Sequence, residues 1–189
     1  MASGNTQTTI PMHETSVRSV VPLDNGGQLA ICGLPGLEIS RDGSLYLDPC
    51  TAEVTFEYLS HLGIKMLYLL MENLEMPKGT NDVLQGHAQT NGIELVWMPI
   101  VDFGAPDVAF EGEWKLGFSN RAKILDAGNG IGLSCVYGAG RSGMMACAIA
   151  VERGIPAQTA VHFVRTTFPE AVGSKQQENW VSRGDYLAD

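Results

Sequence analysis

The sequence predicts an α/β fold, a central, mostly parallel sheet with helices on both faces. Three observations carry this. Segments of strand and helix character alternate along most of the chain, the pattern of parallel strands joined by crossover helices. Ile64 to Met71 is a continuous apolar run of strand length, as expected of a strand covered on both faces. Finally, the β-rich run Ile131 to Tyr137 passes through Gly138-Ala139-Gly140 straight into the helix-favouring run Met144 to Val151. Strand, tight glycine turn and helix start together aim backbone N–H groups and a helix dipole at one point, where an anion fits.

Taken in order, residues 17–23 and 28–34 flank Asp24-Asn25-Gly26-Gly27, which signals a hairpin. The Gly- and Pro-punctuated stretch from Leu34 to Pro49 reads as an irregular loop. Thr51 to Leu62 is a helix with Val54, Tyr58, Leu59 and Leu62 on one face, stopped by Gly63. After the Ile64–Met71 strand, Asn81 to Thr90 is a helix capped by Thr80 or Asn81, and Ile93 to Ile100 is the next strand. Glu113 to Ala127 reads as one helix ending at Gly128-Asn129-Gly130. Ala157 to Thr167 is helical, and Ser174 caps a last helix to Tyr186. There is no internal repeat.

Length and composition bound the function. With 189 residues, 44% apolar and 17% charged, the chain has the makings of one globular domain over residues 17–189, preceded by a flexible polar tail over residues 1–16. No apolar run reaches the roughly 18 residues of a membrane span, and the N-terminus lacks the basic and apolar regions of a secretory signal. A formal charge of −9 argues against nucleic acid or an anionic membrane as partner. Four cysteines without CxxC spacing make neither a disulfide scaffold nor a zinc site and point to a reducing cytoplasm. Cys32 and Cys147 sit in apolar strand and helix patterns and read as core. His13, His61, His87 and His162 have no metal-ligand spacing.

The chemistry concentrates in Cys135-Val136-Tyr137-Gly138-Ala139-Gly140-Arg141-Ser142. Five residues between the thiol and the guanidinium can curl the backbone around three phosphoryl oxygens, and the glycines permit close approach. A thiol attacks as the thiolate, a form favoured by a helix N-terminus and a nearby cation. Arg141 offers a planar fork for two oxygens, and Ser142 can donate to the sulfur when it departs. The same glycines fit a dinucleotide fingerprint, Gly138-x-Gly140-x-x-Gly143, but that reading leaves Cys135 and Arg141 without a role and lacks the following acidic strand end.

This loop resembles the signature loop of the cysteine-dependent protein tyrosine and dual-specificity phosphatases. The family usually has His before the cysteine, where this chain has Ser134. Pro99-Ile100-Val101-Asp102-Phe103-Gly104-Ala105-Pro106-Asp107 is similar to the family segment whose first aspartate is the general acid, which implies that role for Asp102 and leaves Asp107 as a cap. Pro169 to Trp180 resembles the segment that packs behind the loop, with Gln177 as its glutamine, either anchoring the loop or lying on a helix surface. Leu34-Pro35-Gly36 resembles the kinase-associated phosphatase branch, which handles phosphorylated proteins. The resemblance implies a dual-specificity-phosphatase-like fold, a cysteinyl-phosphate intermediate, backbone N–H groups of residues 136–141 as the phosphate cradle, and no metal or cofactor. The implied substrate is a phosphotyrosine or phosphoserine/threonine protein or peptide. The neutral Val136, Tyr137 and Ala139 favour protein over phosphoinositide substrates, and Ser134 leaves room for a catalytically weak phosphoprotein-binding module. Tyr137 either lines the pocket mouth or packs beneath it. Trp97, Trp114, Trp180, Met144 and Met145 read as core.

Overall fold

The computed structural model describes residues 10–24 and 26–186. Of the polar tail expected over residues 1–16, residues 1–9 lie outside this range. Thr15 and Ser16, however, are buried, and Ser16 is tied down on both sides. Its amide donates to Thr55 Oγ1 (3.0 Å) and its carbonyl accepts from Gly33 (2.8 Å), so the packed body starts before Val17.

Strands β1 (Val17–Pro22) and β2 (Gln28–Cys32) pair antiparallel across the expected turn, of which Asn25 is not described. The stretch that follows is not irregular. It holds a small separate hairpin of β3 (Leu37–Ile39) and β4 (Leu45–Leu47), closed by an Asp42-Gly43 turn in which Ser40 donates its amide to Ser44 (2.9 Å). Its strands are three residues long and expose Ile39, Leu45 and Tyr46, so no in-and-out alternation marks them in the sequence.

Helix α1 (Pro49–His61) begins two residues earlier than expected, because Asp48 accepts the Cys50 and Thr51 amides and Pro49 fits the first turn. Its buried face is Ala52, Thr55, Phe56 and Leu59; Val54 is off it, and Tyr58 and Leu62 sit at its margin. Then come β5 (Ile64–Leu69), α2 (Thr80–Asn91) and β6 (Glu94–Trp97). The single helix expected over Glu113–Ala127 is instead two, α3 (Val108–Leu116) and α4 (Phe118–Asp126). The chain turns at Gly117, where a Cβ would stand 2.6 Å from the Arg121 guanidinium. Strand β7 (Gly130–Ser134) and helices α5 (Gly140–Glu152), α6 (Ala157–Thr167) and α7 (Lys175–Arg183) are the remaining elements among the described residues.

The five-stranded sheet has the order β1-β2-β7-β5-β6, parallel throughout except for β1 at one edge. Along β2, Leu29 and Ile31 face one core while Ala30 and Cys32 face the other, the two-residue period of a strand buried on both sides. Helices α1 and α2 cover one face and α3 to α7 the other. Helix α5 lies between the sheet and α6 and α7, which is why its sequence is apolar all round. Trp114 and Trp180 are core as expected. Trp97 is not, being 43% exposed because β6 is an edge strand with one open side. No helix among the described residues is long and apolar enough to cross a membrane.

Candidate active site

Placing β7 between β2 and β5 delivers residues 135–140 to the middle of the sheet's carboxyl edge, where open α/β sheets put their chemistry. Cys135 follows the last residue of β7 and is 3% exposed, at the floor of the turn. Two potential donors meet its sulfur: the Gly138 amide at 3.3 Å and the Ser142 hydroxyl at 3.3 Å. Gly138 is required here, with φ +97° and a would-be Cβ only 2.4 Å from the Gly33 nitrogen. Helix α5 starts at Gly140, so its N-terminus faces the same turn. No strand follows α5 among the described residues, so the second half of a dinucleotide fold is not found there.

Arg141 is buried and held at several points. Nη1 donates to Glu75 Oε2 (2.6 Å) and to the Ile100 carbonyl (3.0 Å), and Nη2 donates to Glu75 Oε1 (2.7 Å). Nη2 also lies 3.2 Å from Asp102 Oδ1. Glu75 ends a short 3₁₀ turn (Asn73–Glu75) just beyond β5, and its Oε2 also accepts the Glu72 amide (2.7 Å). Burial pushes the Glu75 carboxyl up, but the Arg141 hydrogen bonds, the Glu72 amide and the Arg141 charge outweigh this and hold it below the usual glutamate range. Sequence reasoning missed Glu75. The available signal was an acidic residue in the loop directly after the apolar β5 strand.

Asp102 stands on the loop after β6 with a 57% exposed side chain, facing Arg141. The loop is tight: Gly104 donates its amide to the Val101 carbonyl (2.9 Å), and Phe103 has φ +55°, a left-handed conformation uncommon for a bulky residue. Two groups around α7 hold it in place. Ser174 Oγ donates to the Phe103 carbonyl (2.8 Å), and Gln177 Nε2 donates to the Gly104 carbonyl (3.1 Å). Gln177 is buried rather than on a helix surface, and its Oε1 accepts the Gly173 amide (2.9 Å). Asp107 is separated from this group and caps α3 by accepting the Phe110 amide (2.8 Å).

The remaining loop residues divide between support and rim. Ser134 is buried and donates to the Gly33 carbonyl (3.0 Å), bracing the cysteine strand against the end of β2. The Val136 carbonyl accepts the Leu34 amide (3.2 Å), and the Ala139 carbonyl accepts those of Gly143 (2.9 Å) and Val172 (3.2 Å). Tyr137 belongs to the mouth, not beneath it: it is 58% exposed, its hydroxyl reaches Glu170 (3.1 Å), and its carbonyl accepts Arg18 Nε (3.0 Å). Cys32 and Cys147 are core thiols; burial pushes both up, Cys147 to about 12. His61, His87 and His162 stand on three different helices, and among the described residues no cluster of three or more His, Cys, Asp or Glu is arranged to hold a metal. A 620 Å³ groove lined by Tyr68, Val96, Phe110 and Leu116 opens elsewhere and contains none of Cys135, Arg141 or Asp102.

No protein-family model matches the chain, and no curated protein matches it. Solved structures do. Kinase-associated phosphatase with serine in place of its catalytic-site cysteine superposes with a TM-score of 0.67 at 22% identity, covering 87% of this chain and 92% of that one. Tk-PTP in its active form gives 0.59 at 20% identity, covering 88% and 96%. PTPMT1 in complex with PI(5)P gives 0.59 at 13% identity, covering 88% and 94%. In architecture this chain is similar to the protein tyrosine and dual-specificity phosphatases and has their fold.

Proposed function

We propose that the chain is a cysteine-dependent phosphomonoester hydrolase that dephosphorylates tyrosine, serine or threonine residues of proteins. One observation carries the reading: Cys135 Sγ meets the Gly138 amide and the Ser142 hydroxyl, each at 3.3 Å, in a turn that ends in a restrained Arg141. The Cys135 thiolate attacks phosphorus and forms a P–S bond while the P–O ester bond breaks. Asp102 gives its proton to the departing oxygen. The amides of 136–141 and the Arg141 guanidinium share the charge on the equatorial oxygens. Entry of the phosphoryl group competes for Arg141 Nη2 and frees the Asp102 carboxyl to turn toward the leaving oxygen. In the second half Asp102 takes a proton from water, which attacks phosphorus and breaks the P–S bond. Ser142 donates to the thiolate as it leaves.

Several features support a protein substrate. The loop side chains Val136, Tyr137 and Ala139 carry no charge, and the chain carries −9, which opposes approach to an anionic bilayer. The four free cysteines suit a reducing cytoplasm.

Hydrolysis of an aryl phosphate, with and without vanadate, tests the reading. Vanadate-sensitive turnover is expected, with Cys135→Ser eliminating it and Asp102→Ala slowing it by about 10²–10⁴. Turnover retained by Cys135→Ser would remove the assigned nucleophile. Phosphopeptide binding without any turnover would make the chain a binding module, and preference for phosphoinositides in the same panel would move the substrate class.

A further inference from the structure

We infer that Arg18 is a specificity residue at the mouth of this site, taking the carboxylate of an acidic residue beside the phosphorylated residue of a peptide. The inference deepens the phosphatase reading and rests on it.

The geometry begins with an irregularity in β1. Val17 pairs with Cys32 and Ser19 with Ile31, so two steps along β1 match one along β2 and Arg18 is the extra residue. Such a bulge re-aims a side chain that a regular strand would carry elsewhere. Here it turns Arg18 onto the cysteine loop. Nε donates to the Tyr137 carbonyl (3.0 Å), the guanidinium lies 5.1 Å from the centre of the Tyr137 ring, and Nη2 lies close to Gly33. The Tyr137 hydroxyl in turn donates to Glu170 (3.1 Å). Arg18 is therefore an exposed, oriented guanidinium at the rim of the turn that starts at Cys135.

Its charge is uncommitted. Arg121, Arg141, Arg153, Arg165 and Arg183 each pair with a carboxylate, whereas Arg18, like Arg41 in the β3–β4 turn, meets none within 4 Å among the described residues; of these two only Arg18 stands against the cysteine loop. The outer edge of the guanidinium is a planar fork that matches a carboxylate. One cation with Glu170 nearby, on a chain of −9, suits a singly charged carboxylate better than the second phosphate of an inositol lipid.

Binding of two fluorescent phosphotyrosine peptides, identical except for Asp or Asn next to the phosphotyrosine, tests this on a Cys135→Ser background. With Arg18 present, the Asp peptide is expected to bind about two- to fivefold more tightly at low salt, the difference shrinking as salt is added. Arg18→Ala should bring the ratio of affinities to about one, and Arg18→Glu should invert it. The ratio cancels any disturbance of the loop that weakens both peptides alike. Equal affinities with Arg18 in place, or a ratio unmoved by Arg18→Glu, overturns the inference. So does an Arg18-dependent preference for short-chain bisphosphorylated phosphoinositide over the Asp peptide. Absence of aryl phosphate turnover in the unsubstituted chain, with the ratio intact, overturns the phosphatase activity but leaves the Arg18 assignment standing. Failure of both peptides to bind overturns both.

Discussion

Arg141 reaches its position through Glu75, a residue 66 places away in the chain. An arginine free to sample rotamers must be ordered each time a phosphoryl group binds, whereas one clamped by two carboxylate oxygens is in place beforehand. Glu75→Gln keeps the shape and loses the charge, and we expect kcat/KM for an aryl phosphate to fall by up to about 10²-fold. The pH dependence follows from the same pair. Because the folded protein holds Glu75 below the usual glutamate range, its contribution to stability is complete above the unfolded value. It is lost as pH falls through the depressed folded value. Thermal unfolding scans below about pH 4.5 should therefore show a shallower loss of Tm for Glu75→Gln than for the parent, and identical slopes would contradict the coupling. At this scale the sequence exposed Cys135, Arg141 and Ser142, whose spacing is local, and separated Asp102 from Asp107 by resemblance. Glu75 and Arg18 stayed hidden because what makes them matter is contact with residues far along the chain.

Among the elements, α7 does the most for the site without supplying a reacting group. Gln177 links the Gly104 carbonyl of the Asp102 loop to the Gly173 amide, and Ser174 secures the Phe103 carbonyl, so the left-handed turn at Phe103 is held from one helix end. Gln177→Leu should loosen Asp102 while leaving the cysteine turn in place. Protonation matters most for poor leaving groups, so turnover of phenyl phosphate should drop about tenfold more than that of p-nitrophenyl phosphate. Equal losses for both would mean that Gln177 serves folding alone. Periodicity revealed most of the elements but misread three features. The β3–β4 hairpin has strands too short and exposed to alternate. The break between α3 and α4 falls at Gly117, where the missing side chain leaves room for the Arg121 guanidinium. The buried face of α1 is chosen by the sheet and α2, which take Phe56 and leave Val54 outside.

Over the whole molecule, the two cores on either side of the sheet fix which strand ends lie together, and a buried ion pair joins α4 to the far end of α5. The Arg121 and Glu152 side chains are 1% and 3% exposed, and Arg121 Nε donates to Glu152 Oε2 (2.9 Å) while its guanidinium lies 3.6 Å from the centre of the Trp114 ring. Glu152→Ala leaves that guanidinium buried without its counter-charge. Urea denaturation should show a loss of about 3–5 kcal/mol, and a loss below 1 kcal/mol would mean that water or another acid reaches Arg121. By itself the sequence determined the alternation of strands and helices and the Cys-x5-Arg-Ser turn. Both are properties of neighbouring residues, set by side-chain period and by the backbone freedom of glycine. Only the tertiary structure decided that Glu75 and Asp102 converge on Arg141, that Gln177 straps the Asp102 loop, and that Arg18 leans on Tyr137. Those meetings depend on the strand order β1-β2-β7-β5-β6, which places the ends of β5 and β6 and the bulge of β1 around the end of β7. That order is selected by the packing of the two cores, which no short stretch of chain encodes.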